Sequence, residues 1–340
     1  MLAYGVLWWC LGLKRRILMS KEMPFDIPYI EDFEGVTKQI MLRPEMDVKE
    51  WSALNPSIGY SEADGYMTLI RSSNYLIDPL TREFKIQTSG DIRTRTWICR
   101  LDPTDWSVHD LREIHIADGP SVPRGIEDCR IFWRDGVWYM HGVMLERAHT
   151  VPSRVAIYRL DLEENKAYFI QKCEGFDVER YEKNWMTTLN DANPNFDFIY
   201  SPTGIVKDNK FVLKPNTNRA IGSIRGGSSL LLLEDKSYLA ITHSCYQNII
   251  HVPNGKFLDR RVFRKYVHQF VRYDYYGNII EISPEFLFEG YDVEFAAGLA
   301  ECGEHFVVSY GIEDGSANIA SIPKKNVFEM LQPIIDEEEW

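Results

Sequence analysis

No two of the six cysteines (Cys10, Cys99, Cys129, Cys173, Cys245, Cys302) stand at a paired spacing. That excludes a zinc ribbon and signals no disulfide framework, which suits a reducing compartment; the expected location is cytoplasmic. An excess of positive charge is missing too: 38 Lys and Arg stand against 50 Asp and Glu, a formal net charge of −12. Nucleic acids and anionic membranes both require basic surface, so neither is an expected partner. The dense basic runs, Lys14-Arg15-Arg16 and Arg260-Arg261 with Arg264-Lys265, read as solvated loops. Long apolar runs are scarce. Residues 1–13 (MLAYGVLWWCLGL) are apolar but too few to span a bilayer, and the basic residues follow them, the reverse of a secretory signal. Residues 1–22 are therefore expected to be an N-terminal extension, with Met19 or Met23 an alternative start, and residues 23–340 one domain. The histidines lack metal-ligand spacing. Arg225-Gly226-Gly227-Ser228 is glycine-rich, yet it opens a strand and not a helix, so it is no nucleotide loop. Neither a metal nor an organic cofactor is expected.

What is present is a core-forming composition, 45% apolar and 13% aromatic, carrying a repeat. Five times a polar cluster is followed by an apolar strand, a turn, a second apolar strand and another polar group. The copies begin at Asn55, Glu127, Lys183, Arg225 and Glu294, at irregular intervals of about forty to seventy residues. Asp64-Gly65 and Asp135-Gly136 are strong hairpin signals, and alternation marks strands at Tyr66–Ile70, Val137–Met140 and Tyr238–Thr242. Further strand-like runs lie between them: Thr96–Leu101, Arg154–Leu160, Gly204–Val206, Lys210–Leu213 and Val267–Tyr273. The pattern predicts an all-β fold, a five-bladed β-propeller with about four strands per blade. The one helix expected is short, at Lys325–Ile335, with a solvated acidic tail. The third copy is the weakest, with a long turn over Asn190–Asn195 and only Ser201 at its end.

A hairpin returns its second strand to the edge where its first began, so the five polar clusters should meet at one mouth. First strands open with Asn55, Glu127-Asp128 and Arg130, Lys183-Asn184, Arg225 and Glu294; second strands end with Arg71, His141, His243 and Tyr310, followed by Glu313-Asp314. Each has an ordinary structural role available, such as a turn cap for Asp128 or a satisfied core position for His141. Their shared place in the repeat favours chemistry, because gathering carboxylates, cations and imidazoles costs desolvation and repulsion unless a ligand compensates. A carboxylic acid that protonates a departing glycosidic oxygen, with cations opposite, suits glycosyl transfer.

Six landmarks in order give a resemblance to glycoside hydrolase family 130, the β-mannoside phosphorylases and β-1,2-mannosidases. They are Asn55-Pro56, Arg71, Gly125-Ile126-Glu127-Asp128-Cys129-Arg130, Lys183-Asn184, Leu239–His243 and Tyr310-Gly311-Ile312-Glu313-Asp314, across residues 50–322. The resemblance implies a five-bladed propeller and an inverting reaction at a mannose-like carbon, most simply phosphorolysis to a sugar 1-phosphate. It makes Asp128 the general acid and places Asn55, Arg71, Glu127, Arg130, Glu294, Tyr310 and Asp314 against the substrate. It also implies that Arg71, Lys183, Asn184, Arg225 and His243 hold inorganic phosphate as co-substrate. The chain departs from the family pattern at Cys129, which replaces a proline, and at Tyr200-Ser201, where a basic residue is expected. Those departures suit a divergent member. Hydrolysis, with Glu294 or Glu313 activating water, and mannosyl transfer are the neighbouring readings on the same fold. A glycan-binding propeller without activity is the non-enzymatic one, and a furanosidase would require an aspartate base where Asn55 stands. The expected partner is an oligosaccharide or glycoside, and a homo-oligomer is compatible with the sequence.

Overall fold

The computed structural model describes residues 27–40, 51–78, 83–88, 90–145, 153–173, 182–200, 204–213, 224–254 and 257–334. The N-terminal extension, Ser201 and the acidic tail lie outside them. The regular structure of the described chain is almost all strand, with one short α-helix at Lys324–Met330 and a single 3-10 turn at Ile30–Asp32. None of its helices is long and apolar enough to cross a membrane, and its five cysteines are unbridged.

The strands group in chain order. Ser52–Ser61, Gly65–Ser73, Thr94–Leu101 and Val108–Ile116 form a first antiparallel set; Ile126–Arg134, Val137–Met144, Arg154–Asp161 and Lys166–Lys172 form a second. Two parallel pairs, Lys166 with His115 and Ala167 with Ile116, join these sets into an eight-stranded path. A third group contains Phe198–Tyr200, Gly204–Lys207 and Lys210–Leu213. The fourth is built on Tyr238–Asn254 and Phe257–Tyr273, flanked by Arg225–Gly226, Leu231–Leu232, Ile279–Ile282 and Gln332–Pro333. The fifth holds Glu294–Cys302, His305–Ile312 and Ser316–Pro323, and its outer strand is Thr37–Ile40 from the beginning of the described chain.

Local chemistry explains the hairpins. Asp135 and Gly136 take φ of 51° and 77°, the paired left-handed turn whose twist suits a two-residue connection. Asp208 and Asn209 (φ 50° and 58°) do the same between Gly204–Lys207 and Lys210–Leu213. The third copy departs from the expected hairpin: Lys183–Asn190 pairs back only through an isolated bridge of Met186 with Ile199. Its long turn is instead held from the fourth group, where Asn193 donates to the Tyr238 hydroxyl and the Tyr275 carbonyl.

The first strands of the five groups touch in cyclic order. Ser57 Oγ accepts from Ile131 N, Trp133 N donates to Leu189 O, and Leu189 N donates to Leu230 O. Gly227 lies where a Cβ would meet Ala296 O at 2.7 Å, and Ser309 Oγ of the fifth group binds Ile58 N and Pro56 O of the first. Apolar clusters fill the spaces between successive groups: Met67, Leu69, Ile131 and Met140 between the first and second, Val155, Trp185 and Phe198 between the second and third. Phe196, Ile199, Tyr238 and Val271 join the third to the fourth, Ile241, Phe270, Leu299 and Val308 the fourth to the fifth. Ile58, Ile70, Ala300 and Val307 join the fifth to the first. The core is thus distributed around a closed circuit.

Candidate active site

Two first strands break their ladder at the polar residue that opens the copy. The Ser52–Ser61 register shifts between Leu54 and Ser57, and the Ile126–Arg134 register between Glu127 and Arg130. At these bulges Asn55 (φ 44°) and Asp128 (φ 50°) are left-handed, as is Asn184 (φ 62°) in the third copy. Among residues with a side chain, Asn and Asp adopt this conformation most readily, so the backbone itself selects short polar groups here.

The bulges turn Asn55 and Asp128 toward each other: Asn55 Nδ2 donates to Asp128 Oδ1 at 2.9 Å. Arg71 Nη1 donates to the same oxygen at 2.9 Å, Nη2 to Glu127 Oε1 at 2.6 Å and to the Tyr75 hydroxyl at 3.3 Å, and Nε to Thr94 Oγ1 at 3.0 Å. The Tyr75 hydroxyl donates onward to Asp314 Oδ2 at 2.9 Å. Arg71 is thereby spent within the protein, its side chain 4% exposed beside Glu127 at 31% and Asp128 at 16%. Asp128 Oδ2 takes no hydrogen bond among the described residues and is the open oxygen of the cluster. A separate groove of about 450 Å³, lined by Thr94, Thr96, Glu113, His115, Ser121 and Ile126, takes no wall from Asn55, Arg71, Asp128 or Asp314.

Burial pushes the Asp128 carboxyl upward, but Arg71, Arg130, the Asn55 donor and Lys183 together hold it below the usual aspartate range. Asp314 moves the other way: burial raises it, and the Asp128 and Glu127 charges add to that against Arg71 and Tyr75. Two neighbouring aspartates are thus driven apart in proton affinity.

Across the mouth, Lys183 and Arg225 are exposed, and both charges act on the buried His243, which sits in ring contact with Phe295 and Tyr266. Burial first, then His268, Lys183, Arg225 and Arg130, holds His243 well below the usual histidine range, so it stays neutral. Asn184 is buried behind Lys183, with its carbonyl against Gly226.

Other expected ligand groups face elsewhere. Glu294 is fully buried, and its carboxylate accepts the backbone N–H groups of Phe288, Glu289 and Tyr291; it holds a loop and presents no oxygen to a substrate. Tyr310 stacks on Phe288 at 4.1 Å inside the core and donates to Glu289. Arg130 is buried beneath Asp128, donating to the Asp128 and Gly227 carbonyls, so it supports the acid from below. His141 is buried between Phe132 and Phe198. Glu313 bonds to Val293 through both its side chain and its N–H. Repeat position gives a residue an address but not a direction, and a strand side chain points to one face or the other. Conversely, Tyr75, Thr94, Cys245, Arg264 and Tyr266 belong to the mouth without standing at a repeat position. Gly65–Ser73 ends at a bend at Asn74, after which the Tyr75 hydroxyl comes back to Arg71 Nη2 at 3.3 Å.

No family model matches the chain, and no curated protein matches it in sequence. Solved structures do match it in shape. A β-1,2-mannobiose phosphorylase from Listeria innocua superimposes with TM-score 0.57 at 12% identity, covering 87% of this chain and 99% of that one. The chain shares that fold. A GDP-Man-dependent mannosyltransferase from Leishmania mexicana, MPT-1, matches with TM-score 0.53 at 12% identity, covering 91% and 93% of the two chains. A structure reported for glycoside hydrolases of the GH130 mannoside phosphorylase family, which target β-1,2-mannosidic linkages in Candida mannan, gives 0.55 at 12%, covering 94% and 99%. Phosphorolysis, transfer and hydrolysis are thus all represented among chains of this shape.

Proposed function

We propose that the chain is a carbohydrate-active enzyme that cleaves or forms β-mannosidic bonds with inversion, its five strand groups being the blades of a five-bladed β-propeller. The observation that carries this reading is the cluster at the closed circuit of first strands: Asp128, with one oxygen pinned by Asn55 and Arg71 and the other open, faces cations across a mouth. In phosphorolysis a phosphate oxygen forms a bond to the anomeric carbon as the glycosidic C–O bond breaks. The proton of Asp128 goes to the leaving oxygen, and the aspartate regains a proton from solvent. On this reading Asp314 and Glu127, at the margin of the cluster, accept hydrogen bonds from sugar hydroxyls. The neighbours named for phosphorylase, transferase and hydrolase activity support the mannosyl chemistry while leaving the acceptor open.

Incubation of the purified chain with β-1,2-mannobiose, with and without phosphate, tests this. Mannose 1-phosphate formed only with phosphate is the expected result. Phosphorolysis releases one mannose for each mannose 1-phosphate, so free mannose formed without phosphate, or with no mannose 1-phosphate beside it, would replace phosphorolysis by hydrolysis. Failure of β-mannosides to turn over under both conditions, and of GDP-mannose to donate to a mannose acceptor, would overturn the enzymatic reading.

A further inference from the structure

The strands Tyr238–Asn254 and Phe257–Tyr273 continue past the mouth as a long two-stranded arm. Directly paired residues of an antiparallel ladder lie on one face, and every second pair lies on the same face. The register pairs His243 with His268, Cys245 with Tyr266 and Gln247 with Arg264, so these six share a face. That face looks toward the catalytic cluster. The Tyr266 ring lies 5.3 Å from that of His243, and its phenol is pushed up to about 12 by burial, with the Cys245, Asp314 and Asp128 charges adding to the effect. Arg264 therefore stands on the same wall, one step further out.

The Arg264 charge acts on Cys245 and Tyr266, and the charges of Arg225 and Lys183 act on Cys245 as well. Three cations from three separate segments thus act on one half-buried thiol, and Arg225 is the direct ladder partner of His243 on this same face. Among the described residues none of the three pairs with a carboxylate, in a chain where 50 acidic residues outnumber 38 basic ones. Leaving three like charges unpaired and adjacent is repulsive unless an anion joins them. Arg71, by contrast, is already bonded to two carboxylates.

On the phosphorolytic reading above, we propose that Arg264 is a phosphate-binding residue that completes, with Lys183 and Arg225, the seat of the phosphoryl group. The arm supplies the cation that the third copy, ending in Tyr200-Ser201, does not. A guanidinium fork binds two phosphate oxygens at once, and the lysine adds a mobile point charge. The same chemistry serves inorganic phosphate entering and a sugar 1-phosphate leaving.

Calorimetric titration of the full chain with inorganic phosphate, and separately with mannose 1-phosphate, reads this site without turnover. The expected result is saturable binding, weakened on the order of tenfold to a hundredfold by Arg264→Gln and partly restored by Arg264→Lys. Arg100→Gln, which removes the same charge at the turn edge of the first strand group, should leave both affinities unchanged. Phosphate affinity that survives Arg264→Gln, with an unchanged unfolding midpoint, would overturn the proposal, and so would a wild-type chain that binds neither ligand. A chain that binds phosphate through Arg264 yet hydrolyses mannobiose without it would remove the phosphorolytic reading and leave the anion seat standing. Binding of mannose 1-phosphate alone would assign the seat to the sugar phosphate and not to the free ion.

Discussion

Asp128 combines a left-handed backbone, one committed oxygen and one open oxygen. Asp128→Asn keeps the shape and removes the proton, so turnover should fall by about a hundredfold to ten-thousandfold while the unfolding midpoint holds. Near-wild-type turnover in that variant would remove Asp128 from the mechanism. The pH dependence follows from its cationic surroundings. Burial raises Asp128, but Arg71, Arg130, Asn55 and Lys183 lower it further, so the free enzyme carries it ionised, the wrong form for an acid. A phosphate dianion beside Lys183 offsets part of that positive field and raises the carboxyl. A general acid loses activity as pH rises through its pKa, so the descending alkaline limb of activity should shift to higher pH at saturating phosphate. Rate profiles at low and saturating phosphate measure this, and a limb indifferent to phosphate would contradict it. At this scale the sequence was legible where a motif named the residue, as with Asn55, Arg71 and Asp128. It was silent on Tyr75 and Tyr266, whose positions depend on how far a turn folds back and on how far an arm extends.

At the scale of elements, alternation and Asp-Gly turns located the hairpins of the first and second groups well. The fourth hairpin was seen only as Tyr238–Thr242 and Val267–Tyr273, because its arm runs through mixed polar and apolar sequence without sustained alternation. Glu294 shows the complementary failure. Its position in the repeat matches that of Glu127, yet burial and three backbone donors make it the fastening of residues 288–291. Glu294→Gln leaves at least one of those N–H groups without an acceptor and should cost about 1–3 kcal/mol in urea unfolding, with KM for the glycoside unchanged. A raised KM at unaltered stability would return Glu294 to the substrate. Gly311 is a tight seam between elements at the site: a Cβ there would lie 2.2 Å from Asn55 Oδ1 and 2.6 Å from Asn55 N. Gly311→Ala must displace Asn55 and so loosen the pin on Asp128. A loss of about 1–3 kcal/mol together with reduced kcat is expected, and wild-type values for both would show that the bulge yields freely.

Over the whole molecule, stability rests on closing a circuit whose last strand comes from near the start of the described chain. Thr37–Ile40 pairs with Asn318–Ser321, and Lys38 from that strand reaches Glu31, Glu289 and the Phe288 carbonyl. Glu289 in turn binds the Tyr310 hydroxyl, and its N–H caps Glu294, so the closing strand is bonded to the loop that precedes Val293. Val293 holds Glu313 by two hydrogen bonds, and Asp314 follows directly into the catalytic cluster. A short chain of contacts therefore links an edge strand to the site, although its sequence, TKQI, carries no functional motif. Removing residues through Ile40 bares Ser316–Pro323 as an unpaired edge and frees one end of this path. Loss of the closing strand should lower the thermal midpoint by at least about 5 °C. Light scattering should detect self-association at the bared edge. Activity should fall further than stability alone accounts for, because Asp314 loses its tether. An unchanged midpoint in a monodisperse truncated chain would show that the circuit closes without its N-terminal strand.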